Sequence, residues 1–213
     1  LESHFARGYC FNRLKAHEKA VTDLEIAGAQ KGSRWAGDAN FYLGRSLEAL
    51  AEASPQAAGR YGEAAAAYGQ CAAIRQAALK TVAAGQRPAA LSAHLTAFTS
   101  QGEAHYNAGQ YQQVTQVLGP LLANSGQYQE VKGYDRGLYF LGLGNYQLDR
   151  AAEKAGTKPD EKATLASLRA LAAPAMKESS LWADATWLLA RILHRRSEWP
   201  LANKRYSDLI AAN

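Results

Sequence analysis

Apolar residues recur along the chain at intervals of three and four, which is the period of an amphipathic α-helix. The clearest stretch follows Tyr111, where Val114, Leu118 and Leu121 come at steps of three, four and three residues. Before it lie an apolar segment centred on Gly102 and a short break rich in turn-forming residues. The pattern predicts two helices joined by a tight turn.

The same two-helix layout occurs five times, and a small residue marks the middle of each first helix. The marks are Gly8, Gly44, Gly102, Gly142 and Ala190, separated by 36, 58, 40 and 48 residues. A glycine inside a helix costs about 1 kcal/mol relative to alanine, so its recurrence predicts close packing of a second helix at these positions. We expect large side chains on neighbouring turns to fill the adjacent holes. These side chains are Phe11, Tyr68, Phe98 and Tyr206.

Three copies carry the layout most clearly. Their marking residues are Leu43, Gly44, Ala64 and Tyr68 in one, Phe98, Gly102 and 109–111 in another, and Leu189, Ala190, Ala202 and Tyr206 in the third. On these residues the chain resembles the tetratricopeptide repeat family, whose unit is a helix–turn–helix of roughly 34 residues. The resemblance implies an all-α fold, a single α-solenoid domain of five such pairs in a right-handed superhelix. The implied repeats are 1–34, 35–90, 91–128, 129–178 and 179–213.

Departures from the family pattern point to a degenerate array of bacterial type. No copy ends with the family's proline in register. The second copy has an insertion at about 51–59, where Ser54 and Pro55 are expected to start a helix that runs to about Ala83. The fourth copy has a loop at 155–159. We expect Asp160 and Glu161 in the first turn of its second helix, which would bury Ala166, Ala170 and Ala173.

Composition agrees with a helical protein. Alanine, the strongest helix former, fills 44 of 213 positions, and only 6 residues are proline. Apolar residues make up 47% and charged residues 20%, which are not the proportions of a disordered tail or a membrane protein. No apolar run approaches the roughly 18 residues of a transmembrane helix.

The charge is mildly basic, with 24 Lys and Arg against 19 acids and a net charge of +5. The most basic stretch is 191–205, diluted by Glu198. It is either a solvated helix face or a patch for an anionic partner such as a nucleic acid. Nucleic-acid binders usually carry a denser basic stripe, so this partner is the less favoured alternative.

No catalytic motif is present: the sequence has no phosphate-binding glycine loop, no metalloprotease motif, no paired-cysteine motif and no nucleophile elbow. We therefore predict no enzyme activity, no cofactor and no metal site. The five histidines are scattered over different copies, and His105 replaces a packing aromatic. Cys10 and Cys71 are too few for a disulfide scaffold, and both free thiols and one bridge remain open.

The chain starts at Leu1 rather than methionine, which indicates a processed product or an excised part of a longer protein. Together with the abundance of Ala and Gln and the single Met, this start favours a periplasmic or cell-envelope location, with the cytoplasm as the alternative.

The resemblance implies that the first helices line a concave groove that binds an extended peptide or a helix of a partner protein. Carried over by register, the groove residues are Phe5, Tyr9, Arg13, Phe41, Arg45, Tyr106, Tyr139, Tyr146, Trp187, Arg191, His194 and Arg195. Aromatic and arginine side chains dominate interface energies. For Tyr139 and Tyr146, packing between helices is an equal alternative.

We therefore predict a non-catalytic scaffold for protein–protein interaction. The positions where some family members clamp a carboxylate hold Tyr9, Arg45, Glu103, Leu143 and Arg191, so no clamp for a C-terminal tail is expected. Self-association through an exposed last repeat is a further expectation, because uncapped repeat arrays tend to associate.

Overall fold

The computed structural model describes residues 2–30, 32–54, 56–123 and 125–212. These residues form eleven α-helices and no strand, which confirms the all-α prediction. The helices are α1 (Glu2–Arg13), α2 (His17–Gly28), α3 (Ala36–Glu52), α4 (Ala57–Ala78), α5 (Arg87–Asn107), α6 (Tyr111–Ala123), α7 (Ser125–Tyr128), α8 (Tyr134–Lys154), α9 (Lys162–Leu171), α10 (Trp182–Arg195) and α11 (Trp199–Ile210). Short 3-10 turns lie at Ala84–Gln86 and Pro174–Met176.

Helices pack in chain order. Each long helix contacts the next one along the chain, and α6 reaches past the four-residue α7 to contact α8. Contacts also join α1 to α3 and α5 to α8. The apolar core follows the same order, with one cluster of buried residues over α2–α5 and a larger one from α5 to α11. Stability therefore comes mainly from contacts between neighbours in the sequence.

Three of the helix–helix turns have the same geometry. In each, one residue takes a left-handed backbone conformation seven positions after the small residue of the first helix: Lys15 (φ 60°), Gly109 (φ 73°) and Ser197 (φ 61°). The next residue's N–H closes the turn at 2.9 Å on the carbonyl five residues back, from Ala16 to Phe11, Gln110 to His105 and Glu198 to Leu193. Residues of the first and last of these hairpins therefore correspond to those of the middle one at offsets of 94 and 88.

Close packing at the four glycines is confirmed. A Cβ placed on Gly102 would lie 2.5 Å from the Cγ of Leu118, and one on Gly44 would lie 2.7 Å from the ring of Tyr68. Gly8 and Gly142 meet Leu24 and Leu168 in the same way. Tyr68 thus fills a hole as expected. At Gly8 and Gly102 the nearest side chain is a leucine of the second helix, while Phe11, Phe98 and Tyr206 are partly buried against the core clusters.

Two helix boundaries differ from the expectations. Helix α4 ends at Ala78, five residues before Ala83, where the chain leaves the helix in a series of turns. Pro55 lies outside the described residues. Helix α4 begins at Ala57, and just before it the Ser54 hydroxyl accepts a hydrogen bond from the N–H of Gln56.

The second helix of the fourth copy also differs. Asp160 and Glu161 precede α9, because Glu161 has a left-handed φ of 51° and the helix begins at Lys162. Ala166 is exposed. The buried apolar side chains are Leu165, Leu168, Leu171 and Ala172, because leucines bury more apolar surface than alanines. The predicted Ala170 and Ala173 are half-buried, and Ala170 packs against the core.

A buried carboxylate fixes the first hairpin. Asp23 on α2 accepts hydrogen bonds from His4 (2.9 Å) and from Arg7 Nε (2.6 Å) on α1. Hydrogen bonding by Arg7 lowers the pKa of Asp23 to about 2, because it stabilises the charged carboxylate.

This pairing predicts acid sensitivity. Since the folded pKa of Asp23 lies below the unfolded value, its contribution is complete above about pH 4 and is lost as the pH falls towards 2. We expect Asp23→Asn to cost about 1.5–3 kcal/mol at pH 7 and much less at pH 2. Urea unfolding followed by circular dichroism at both pH values measures this; an equal loss at both would refute the assignment.

Candidate functional site

Aromatic and charged side chains on α1, α3, α5 and α8 form a surface that runs from α1 to α8. We call it the first-helix face and define it by Phe5, Tyr9, Phe41, Tyr42, Glu48, Glu103, Tyr106, Arg136, Tyr139 and Phe140. It has an aromatic group at each end and a charged centre. Nine of its ten members are half-buried and Arg136 is exposed, so most combine a packed base with an accessible edge.

The first aromatic group lies between α1 and α3. Phe5 stacks on Trp35 with ring centroids 4.9 Å apart, and Tyr9 meets Tyr42 edge-on at 4.8 Å. Tyr42 contacts Phe41, and the guanidinium of Arg75 from α4 lies 5.1 Å above the ring of Phe41. A shallow hollow of about 290 Å³ opens between Phe5, Tyr9, Asp38, Phe41, Tyr42 and Arg75.

The second aromatic group joins α5 and α8. Tyr106 contacts Phe140 at 5.7 Å, and Phe140 contacts Tyr139 at 5.7 Å. Next to them is a hollow of about 540 Å³, with Leu181 at one end. Hydroxyls of Ser92, Thr96 and Thr99, the charged Glu103 and Arg136, and the rings of Tyr139 and Phe140 line it. The hollow offers both an apolar floor and hydrogen-bonding groups.

Charged residues from three helices form the centre. Glu48 on α3 accepts a hydrogen bond of 2.6 Å from the hydroxyl of Tyr68 on α4, and Arg136 on α8 pairs with Glu103 on α5. Burial raises the pKa of Glu48 to about 7, and the negative charge of Glu103 adds to this. The pKa of Glu103 is also raised by burial, which the pairing with Arg136 opposes.

The structure brings five of the predicted residues to this face: Phe5, Tyr9, Phe41, Tyr106 and Tyr139. Sequence reasoning missed Trp35, Tyr42, Glu48 and Phe140. Tyr42 directly follows Phe41, and Phe140 directly follows Tyr139. These pairs of adjacent aromatic residues were the sequence signal that could have identified them. Glu48 lies one helical turn after Arg45 on the same side of α3, which the helical period alone could have indicated.

Other predicted residues lie elsewhere. Arg195 pairs with Glu161 and Glu153, so its charge is already neutralised. Tyr146 is half-buried against the larger core cluster. Arg13 is exposed. Arg45 is exposed too, but it lies beside the first-helix face, since its charge acts on Tyr42 and Tyr68.

Three further predicted residues form a separate surface on α10 and α11. The guanidinium of Arg191 lies 4.5 Å above the ring of Trp187, and His194 meets Trp199 edge-on at 4.4 Å. No ring contact or ion pair connects these residues to the first-helix face among the residues that the structure describes.

A larger hollow lies on the opposite side of α3. Its volume is about 1030 Å³, and it lies between α2, α3 and α4. Its floor is apolar, with Leu43, Leu47 and Ile74 among many alanines. Asn40 inside it is already engaged, since its amide donates to the carbonyls of Gly28 and Ala36. Alanines and glycines make up much of its lining, and it holds none of the aromatic rings or ion pairs described above, so we place the candidate site on the first-helix face.

Groups suited to metal binding or redox chemistry do not cluster in the described part of the chain. No set of three or more His, Cys, Asp or Glu side chains there could hold a metal ion. Cys10 is exposed and Cys71 is buried, and both are free thiols. Burial raises the pKa of the Cys71 thiol to about 11. Among the helices with described residues, none has the length and apolar character needed to cross a membrane.

No family model matches the chain, and no curated protein matches it significantly.

Proposed function

We propose that the chain is a non-catalytic interaction scaffold of the tetratricopeptide-repeat type, which binds an extended segment of a partner protein along its first-helix face. In this proposal the five helix pairs α1–α2, α3–α4, α5–α6, α8–α9 and α10–α11 form a solenoid whose concave side carries that face. The packing of helices in chain order and the small residue at the middle of each first helix support the proposal.

One observation carries the proposal most strongly: the first-helix face holds two hollows with aromatic walls, and the second of them includes the charged pair of Glu103 and Arg136, which interacts with Glu48. Half-exposed aromatic rings give large contact area at little entropic cost, and they are enriched among residues that dominate interface energies. A segment with an apolar side chain for each hollow fits this surface.

The alternative of nucleic-acid binding has less support. Of the basic residues in 191–205, Arg195 and Arg196 pair with Glu161, and Arg205 pairs with Asp208. These pairs reduce the positive potential of the last helix pair, so few cations remain to replace counterions on a phosphate backbone. Binding to mixed-sequence oligonucleotides at low salt that falls steeply with added salt would revive this alternative.

Peptide selection tests the proposed function. Peptides selected on the chain from a random library should bind at least about tenfold more weakly to Tyr9→Ala and to Tyr139→Ala, because each change removes one wall of a hollow. Trp199→Ala is the matched control, since it removes an exposed aromatic outside the first-helix face. Selected peptides whose affinity survives both tyrosine changes, or falls equally in the control, would contradict the proposal.

A further inference from the structure

A second concave surface is the hollow of about 1030 Å³ between α2 and α4, which we call the α2–α4 hollow. Both helices pack on α3, but over their described residues they do not pack closely on each other. Helix α3 therefore forms the floor, and Ala36, Asn40, Leu43 and Leu47 lie along it. From Ala36 to Leu47 the floor is about 16 Å long, which is three turns of helix.

The surface inside the α2–α4 hollow is apolar and open to solvent. Its wall on α4 includes Ala66, Ala73 and Ile74, which are all exposed, and Ile74 has 39% of its surface accessible. Because the alanine side chains are short, another backbone has room to come close to the floor. An exposed apolar surface with a polar rim is typical of an interaction site.

The rim of the α2–α4 hollow is acidic. Glu25 on α2 and Glu63 on α4 are both exposed, and neither has an ion pair among the described residues. No lysine or arginine lines the hollow in that part of the chain, although the chain as a whole has a net charge of +5. The local charge therefore favours a cationic occupant and disfavours an anionic one such as a fatty acid.

The floor offers few hydrogen-bonding groups to the backbone of an occupant. Asn40 is its only polar residue among those described, and its amide donates to the carbonyls of Gly28 (3.2 Å) and Ala36 (2.8 Å). An extended peptide would bury backbone N–H and C=O groups there without partners, which is costly. A helix satisfies these groups internally and presents an apolar side-chain stripe, so it fits this floor better.

We propose that the α2–α4 hollow binds a basic amphipathic helix of a partner protein, about three turns long. The apolar stripe of that helix packs on Leu43, Leu47 and Ile74. Lysine or arginine side chains on the two flanks of the stripe pair with Glu25 and Glu63. The site lies on the opposite side of α3 from the first-helix face, and it does not depend on the function proposed for that face.

Peptide selection on a variant of the first-helix face tests the inference. The bait is the full chain with Tyr9→Ala and Tyr139→Ala, which removes peptides that bind the first-helix face. From random peptides of about 16 residues, we expect enrichment of apolar residues spaced by three and four, flanked by lysine or arginine. Circular dichroism should show that the selected peptides become helical on binding.

A change of size locates the bound peptide. Ala66→Trp fills the wall of the hollow from an exposed position, so it should weaken the selected peptides at least about tenfold. Ala58→Trp is the matched control, because it makes the same change at an exposed position of α4 outside the hollow, and it should leave their affinity unchanged. Peptides that Ala66→Trp weakens are assigned to the hollow and are left out of the test of the first-helix face.

A change of charge tests the acidic rim. Glu25→Lys combined with Glu63→Lys should weaken the selected peptides about tenfold, because like charges then face each other. Glu130→Lys combined with Glu178→Lys is the matched control, since both glutamates are exposed and lie outside the hollow. This control should leave the affinity unchanged.

Several results would overturn the inference. These are enrichment of acidic peptides or of peptides that stay extended, equal affinity for Ala66→Trp and Ala58→Trp, and an equal effect of the two double charge reversals. An acyl-chain fluorophore that enters the hollow while no peptide is enriched would also overturn it, because the occupant would then be a lipid. If the two tyrosine changes loosen the fold, the selection is repeated on the unmodified chain and read by the same variants.

Discussion

Gly102→Leu should destabilise the fold by about 3 kcal/mol, the upper end of the usual range for overpacked cores. At Gly102 even a Cβ would lie 2.5 Å from the Cγ of Leu118 and 2.8 Å from its Cδ2. Leu118 is fully buried in the larger core cluster. A leucine at this position must therefore push α5 and α6 apart, and the loss should spread to α8, which packs on both.

Helix propensity alone would make the loss of a helical glycine stabilising, so a decrease in the free energy of unfolding would point to overpacking. Replacing a helical glycine favours the helix by about 1 kcal/mol, so an open site should gain stability. Gly59 on α4 provides that control, because a Cβ there would meet nothing within 4 Å. Gly59→Leu should be neutral or stabilising in urea unfolding followed by circular dichroism.

A size exchange then separates overpacking from other causes. Gly102→Ala with Leu118→Ala should lose less stability than the sum of the two single changes, because the smaller side chain at 118 makes room for the new Cβ. Equal urea midpoints for Gly102→Leu and Gly59→Leu, or strict additivity of the two alanine changes, would contradict the close contact.

Much of the fold could be predicted because its contacts are local in sequence. The small residues Gly8, Gly44, Gly102 and Gly142 marked where a second helix approaches, and the turn after Asn107 lies where the pattern placed it. Where α9 begins, and which of its side chains face the core, could not be predicted in this way. It depends on the left-handed conformation of Glu161, which is held by Arg195 and Arg196 more than thirty residues away.

The candidate site was predictable in part for the same reason. The register carried over from the family resemblance placed Phe5, Tyr9 and Phe41 on one side, but it assigned one residue of each aromatic doublet and passed over Tyr42. The neutralisation of Arg195 also needed tertiary structure, since Glu161 is distant in sequence. Charge alone therefore overstated the basic character of the last helix pair.

The charged centre of the first-helix face leads to a second large effect: the fold should lose about 2 kcal/mol of stability as the pH rises from 4.5 to 7. Burial between α3, α4 and α5 raises the pKa of Glu48 to about 7 from the 4.5 of a free side chain. Glu103 and Glu52 oppose its ionisation, while Arg136 and the hydroxyl of Tyr68 favour it. The folded chain thus holds a proton that the unfolded chain has released, and this advantage disappears as Glu48 ionises.

Glu48→Gln tests this directly, because glutamine resembles the protonated acid and keeps an oxygen for the Tyr68 hydroxyl. The variant should be more stable than the unmodified chain at pH 8, equal to it near pH 4.5, and flatter in between, with a residual slope from Glu103, whose pKa is also raised. Glu63→Gln, at an exposed position of α4, should leave the slope unchanged. Parallel thermal-midpoint curves for the unmodified chain and Glu48→Gln would show that Glu48 is ionised at no cost, and that the centre of the face carries its full negative charge at neutral pH.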